Sequence, residues 1–174
     1  KNGQNIFYDG ADANGLSQEA YYFLGGILKH IKGMTAFCNP LVNSYKRLTT
    51  GFEAPSQIYW SKSERASLVK IPFQRGQETR IELRSPDGAA NPYVVFALCL
   101  AAGLEGIEEQ MKPQKEGRTE ETELLPTNLS DERGSSDGGD PGPEIFKDLQ
   151  SGQGKRMDEL HGADLHVGAG AVPV

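Results

Sequence analysis

The chain reads as an α+β protein, and three observations lead there. Apolar residues recur at helical spacing after Ser17, three short runs around 56–84 have β character, and a long apolar stretch follows Asn91 and Pro92.

Residues 1–15 carry Gly and Asp clusters and read as a loop, with Ile6, Phe7 and Tyr8 as a short strand. Ser17 offers an N-cap, and Glu19 sits in the first turn, where the helix dipole favours a carboxylate. Ala20, Phe23, Leu24, Ile27, Leu28 and Ile31 follow on one face, predicting an amphipathic helix that ends near Gly33. The text from Phe37 to Pro55 is rich in Asn, Pro, Gly and Thr. It is too irregular for a helix and reads as a long loop, a kind of segment that often carries function.

The runs 56–60, 66–72 and 79–84 are separated by polar turns and predict an antiparallel sheet. In the third, Ile81 and Leu83 alternate with Arg80, Glu82 and Arg84, so the strand period places the three charges on one face. Asn91 then caps a helix whose first residue is Pro92, and the run that follows is apolar all round, which predicts burial. From about Met111 the text turns charged and Gly-rich and reads as disordered; the residues from Pro113 onward hold 10 of the 21 glycines.

The formal charge of −6 argues against nucleic acid or an anionic membrane as partner. No apolar run approaches the roughly 20 residues of a membrane span. The start has neither the basic nor the apolar region of a signal peptide, so a cytoplasmic protein is expected. Cys38 and Cys99 lie far apart among apolar neighbours and read as reduced, packed thiols. His30, beside the helical stripe, reads as a packed or surface histidine rather than a metal ligand. Trp60 and the aromatics Tyr21, Tyr22 and Phe23 read as packing residues.

Arg47, Glu53, Arg65, Lys70, Arg80, Glu82 and Arg84 together suggest a polyanion site. Guanidinium groups bind carboxylates and phosphates in pairs, and a carboxylate among them can hold a divalent cation. By itself this pattern favours a solvated strand face over a site. The strings NPLVNSYKRL, GFEAP, SERASLVKIP, RIELRSPD and AANPYVVFALCLAAGLEGI reverse that preference. In this order and spacing they resemble the C-terminal part of the catalytic domain of type I glutamine synthetases, from about Ile6 to Pro126.

That resemblance implies an ATP-dependent ligation of ammonia to glutamate through γ-glutamyl phosphate. It implies that Arg47 grips the glutamate carboxylate and that Glu53 is the flap residue that shields the acyl phosphate and helps deprotonate ammonium. Arg65 would contact the nucleotide phosphates, and Arg84 would stabilise the γ-carboxylate and the phosphoryl group. Glu82 would ligate Mg2+ or Mn2+, and Arg80 would lie on the nucleotide side. Lys70 stands where the family more often has arginine near the ATP phosphates; it keeps the charge and loses the planar fork.

The resemblance also implies a ring-shaped homo-oligomer, a dodecamer in type I enzymes, with active sites between neighbouring subunits. The family's N-terminal β-grasp domain, its other metal-ligating carboxylates and its His-x-His segment do not occur in the chain. The chain is therefore expected to be an incomplete part of the enzyme, inactive on its own. Two alternatives stay open: a γ-glutamyl ligase for a larger amine such as a polyamine, and a non-catalytic structural relative. The expected division is 1–126 as the family-like part and 127–174 as a Gly-rich disordered tail. Text after about Asn128 no longer resembles the family, and the hypothesis for it is a frameshifted translation.

Overall fold

The computed structural model describes residues 3–48 and 54–128. Its order is α1 (Gln18–Cys38), α2 (Val42–Leu48), β1 (Trp60–Ser61), β2 (Val69–Lys70), a 3-10 turn (Gly76–Glu78), β3 (Glu82–Leu83) and α3 (Pro92–Glu108). The α+β class stands. The readings that fall on Glu53 and on the tail beyond Asn128 lie outside the described residues.

α1 begins as the sequence requires: the Ser17 hydroxyl accepts the Ala20 N–H at 3.1 Å and donates to the Ile6 carbonyl at 2.6 Å. It does not stop near Gly33. Met34, Thr35 and Cys38 continue the buried stripe of Leu24, Ile27 and Ile31, and the Asn39 N–H closes the helix on the Thr35 carbonyl at 2.7 Å. A Cβ at Gly33 would meet open space, so this glycine interrupts the exposed face only. α2 likewise corrects the expected long loop. Its buried Ser44, Tyr45 and Leu48 supply the packing that a helix this short needs, since local propensity alone would not hold it.

The sheet is mixed, with strand order β1-β2-β3. β2 and β3 are antiparallel as expected, but β1 and β2 run parallel, with Trp60 beside Val69 and Ser61 beside Lys70. Side-chain bonds explain the reversal. Ser61 Oγ accepts the N–H groups of Ser63 and Glu64, both at 3.2 Å, and Ser67 Oγ donates to the Glu64 carbonyl at 3.0 Å. These bonds curl residues 62–68 so that the chain re-enters the sheet in the direction it left.

α3 starts on its Asn91 cap, which accepts the Tyr93 N–H at 3.0 Å, and crosses α1. The crossing is close because glycines meet there. A Cβ on Gly26 would land on the Ala102 carbonyl, and one on Gly106 would land on the Tyr22 carbonyl. The expectation of burial all round is corrected. Val95, Leu98 and Ala102 are buried, whereas Tyr93 and Phe96 on the opposite side are 83% and 66% exposed, because α1 covers only one face.

The segment after α3 also departs from the disorder read from Met111. Trp60 Nε1 donates to the Gln114 carbonyl at 2.8 Å, Ile58 N–H to Glu123 at 2.8 Å, and Leu125 is buried beside the core. Residues 114–125 thus run back along 56–60. The core joins α1, α3 and the sheet through Leu24, Ile31, Trp60, Leu68, Ile71 and Leu98.

Candidate functional site

The charged face of β3 forms as the alternation requires. Ile81 and Leu83 pack against the core, while Arg80 and Glu82 are exposed and Arg84 is half-buried. Lys70 lies directly opposite Glu82 in the antiparallel register. Opposed residues of such a pair share a face with Cβ atoms about 5 Å apart. Arg84 Nε lies 3.7 Å from Glu82 Oε1. A carboxylate therefore stands between two cations on one sheet face, and its side chain remains 45% exposed. The buried Arg84 Nη1 has no hydrogen-bond partner among the described residues.

Arg47 reaches this strand from α2. Its Nη1 donates to the Ser85 carbonyl at 2.9 Å and its Nη2 to the Arg84 carbonyl at 2.8 Å. A guanidinium carries five N–H donors, so these two bonds leave three for a ligand. Arg80 points its Nη1 to the Glu78 carbonyl at 3.3 Å. Arg65 is exposed on the turn before β2. The sequence-predicted residues Arg47, Lys70, Glu82 and Arg84 are thus brought together at β2 and β3, and Arg80 lies on the same strand approach. The Arg118 guanidinium lies 5.7 Å from the Tyr59 ring centre, and Tyr59 donates to Glu64 at 2.9 Å. Burial, with the Glu64 carboxylate acting in the same direction, pushes the Tyr59 hydroxyl above its ordinary pKa.

Two residues escaped the sequence reading. The buried Ser44 hydroxyl of α2 donates to the Asp87 carboxylate, and Asp87 also accepts the Ala89 N–H at 2.7 Å. Ser44 and then Ala89 hold the Asp87 carboxyl below its ordinary pKa, and the Arg47 charge adds to this. The Ser-Pro-Asp-Gly string signals a turn, which is the trace in the sequence of Asp87's local role. Its pairing with α2 is tertiary.

Among the described residues no group of three or more His, Cys, Asp or Glu could hold a metal ion. The Glu82 carboxylate, a hard and exposed oxygen donor, fits a divalent cation as one ligand of a set. No helix among the described residues is long and apolar enough to cross a membrane.

An α+β unit with one carboxylate set among cations on a strand face, and with a helix arginine bonded to the end of that strand, is the kind of scaffold that handles anionic substrates. The family model for the glutamine synthetase catalytic domain matches residues 1–133. The chain belongs to that family. It is 58% identical over 113 residues to a glutamine synthetase of Methanosarcina mazei, covering 65% of this chain and 25% of that protein. To one of Clostridium saccharobutylicum it is 53% identical over 116 residues, covering 67% and 26%. The cryo-EM structure of Plasmodium falciparum glutamine synthetase superposes with a TM-score of 0.64 at 38% identity, covering 70% of this chain and 24% of that one. The chain thus spans about a quarter of the length of these relatives.

Proposed function

We propose that the chain is part of a ligase that uses ATP to join ammonia to glutamate. The observation that carries this reading is the Lys70, Glu82 and Arg84 cluster on one sheet face, with Arg47 bonded to the carbonyls at the end of β3. ATP would phosphorylate the γ-carboxylate of glutamate, and ammonia would then displace phosphate from the γ-glutamyl phosphate.

In this reading Arg47 binds the glutamate carboxylate through its remaining donors, while Arg84 places positive charge where the phosphoryl group carries negative charge. Arg65, Lys70 and Arg80 serve the nucleotide phosphates. Glu53 shields the acyl phosphate and takes a proton from ammonium. Glu82 would hold a divalent cation, Mg2+ or Mn2+, whose chemistry is to neutralise phosphate oxygens. One carboxylate does not complete such a site, so the other ligands come from the rest of the polypeptide or from a neighbouring subunit of a ring-shaped homo-oligomer, in the cytoplasm.

The test is glutamine formation from glutamate, ammonia and ATP. The complete protein that carries this segment should turn over and the 174-residue chain alone should not. In the complete protein Glu53→Ala should cut glutamine formation while leaving ATP binding nearly intact. Full biosynthetic activity in that variant would remove Glu53 from the mechanism.

A further inference from the structure

The turn between β1 and β2 presents Arg65, and it is held by more bonds than its own curl requires. From within, Ser61 Oγ accepts the N–H groups of Ser63 and Glu64, and Ser67 Oγ donates to the Glu64 carbonyl. Two further bonds come from outside the turn. Tyr59, fully buried, donates its hydroxyl to Glu64 Oε2 at 2.9 Å, and Glu116 Oε1 on the returning segment 114–125 accepts the Lys62 N–H at 2.9 Å. Glu116 Oε2 also pairs with Lys62 Nζ at 3.3 Å.

The returning segment braces the Tyr59 contact as well. The Gly117 N–H donates to the Trp60 carbonyl at 2.9 Å, a Cβ built on Gly117 would lie 3.8 Å from Glu64 Oε1, and the Arg118 guanidinium lies over the Tyr59 ring. The Glu64 side chain is thus set between the buried phenol and the returning chain. Bonds at its N–H, its carbonyl and its carboxylate fix Glu64, and with it the direction in which the chain enters Arg65.

We infer that Tyr59 and Glu64 are positioning residues for the proposed ligation: their hydrogen bond fixes the turn so that the Arg65 guanidinium meets the nucleotide phosphates in one orientation. This inference rests on the functional reading above, in which Arg65 serves those phosphates. It assigns to Tyr59 and Glu64 no contact with substrate. Orientation acts only on the ligand that Arg65 meets, so the effect falls on ATP and spares glutamate.

The test is Tyr59→Phe, which deletes one hydroxyl and leaves the ring in place. In the complete ligase carrying this segment, KM for ATP should rise about fivefold, with KM for glutamate nearly unchanged. Glu64→Ala should match it, while Glu64→Gln, which keeps an acceptor oxygen for the hydroxyl, should stay near the unmodified enzyme. Because the two residues share one bond, Tyr59→Phe combined with Glu64→Ala should be no worse than either alone. Unchanged KM for ATP in Tyr59→Phe overturns the inference, and so does a rise shared by ATP and glutamate, which marks a purely structural role. Failure of the unmodified ligase to make glutamine would instead refute the functional reading. The hold on the turn is then decided by trypsin, with fragments identified by mass spectrometry. Cleavage between Arg65 and Ala66 should be faster in Tyr59→Phe than in the unmodified protein, with cleavage elsewhere unchanged; equal rates overturn it.

Discussion

His30 Nε2 on α1 lies 3.1 Å from Glu105 Oε1 on α3, with the His30 side chain only 1% exposed. This bond ties the two long helices together at a point where no apolar contact would serve the imidazole. Glu105→Ala removes that bond, and the loss of one such hydrogen bond typically costs about 0.5–1.5 kcal/mol. Denaturant unfolding of the chain should show a lower midpoint with an unchanged slope. An unchanged midpoint would mean that the bond contributes nothing to stability.

The crossing of α1 and α3 depends on glycines at which a side chain has no room. Gly26→Ala drives a methyl group into the Ala102 backbone, and overpacking of this kind typically costs about 1–3 kcal/mol, with more where backbone must move. Gly33→Ala is the internal control. Its Cβ meets open space in the middle of the helix, so it should stabilise by about 0.5–1 kcal/mol. Melting temperatures that move in the same direction for both variants would contradict the crossing.

Burial pushes the Cys99 thiol up to about 11 from an ordinary 9. The folded protein therefore keeps the thiol neutral where the unfolded chain would ionise it. The sign follows: the associated stability is complete below about pH 9 and is lost as pH rises from there toward 11. Alkylation of Cys99 should accordingly remain slow at pH 8 and speed up on unfolding. Fast modification at pH 8 in the folded chain would place Cys99 in a more polar setting.

The frameshift hypothesis for the text after about Asn128 is settled by the coding DNA. Met157 followed by Asp158 forces a tryptophan codon one base out of register. The shifted frame should also hold Glu-Trp and Trp-Glu pairs of the kind found near the end of family members. A stop codon in that frame, or the absence of those pairs, makes the tail a genuine divergent extension.

The local signals were carried by the sequence itself. Ser17 and Asn91 are caps because their short side chains reach a nearby N–H whatever the rest of the chain does. The alternation at 80–84 separates charges from apolar residues because the strand period is two, and Glu82 and Arg84 emerge on the face this demands. The family strings, being several motifs in register, pointed to Arg47, Lys70, Glu82 and Arg84, which the fold brings together at β2 and β3.

Tertiary structure decided the remainder, because each of those features depends on partners distant in sequence. α1 continues past Gly33 since Met34 and Cys38 find a core to enter, and α2 exists since Ser44, Tyr45 and Leu48 are buried. The parallel pairing of β1 with β2 follows from the curl that Ser61 imposes on residues 62–68, and no periodicity encodes a strand's direction. α3 is apolar over most of its surface, so its composition could not say which side α1 would cover; the glycines at the crossing chose it. Arg47 could be read as a carboxylate-binding residue from its string alone. Its attachment to the Arg84 and Ser85 carbonyls required the fold, because hydrogen bonds between separate segments leave no pattern in either one.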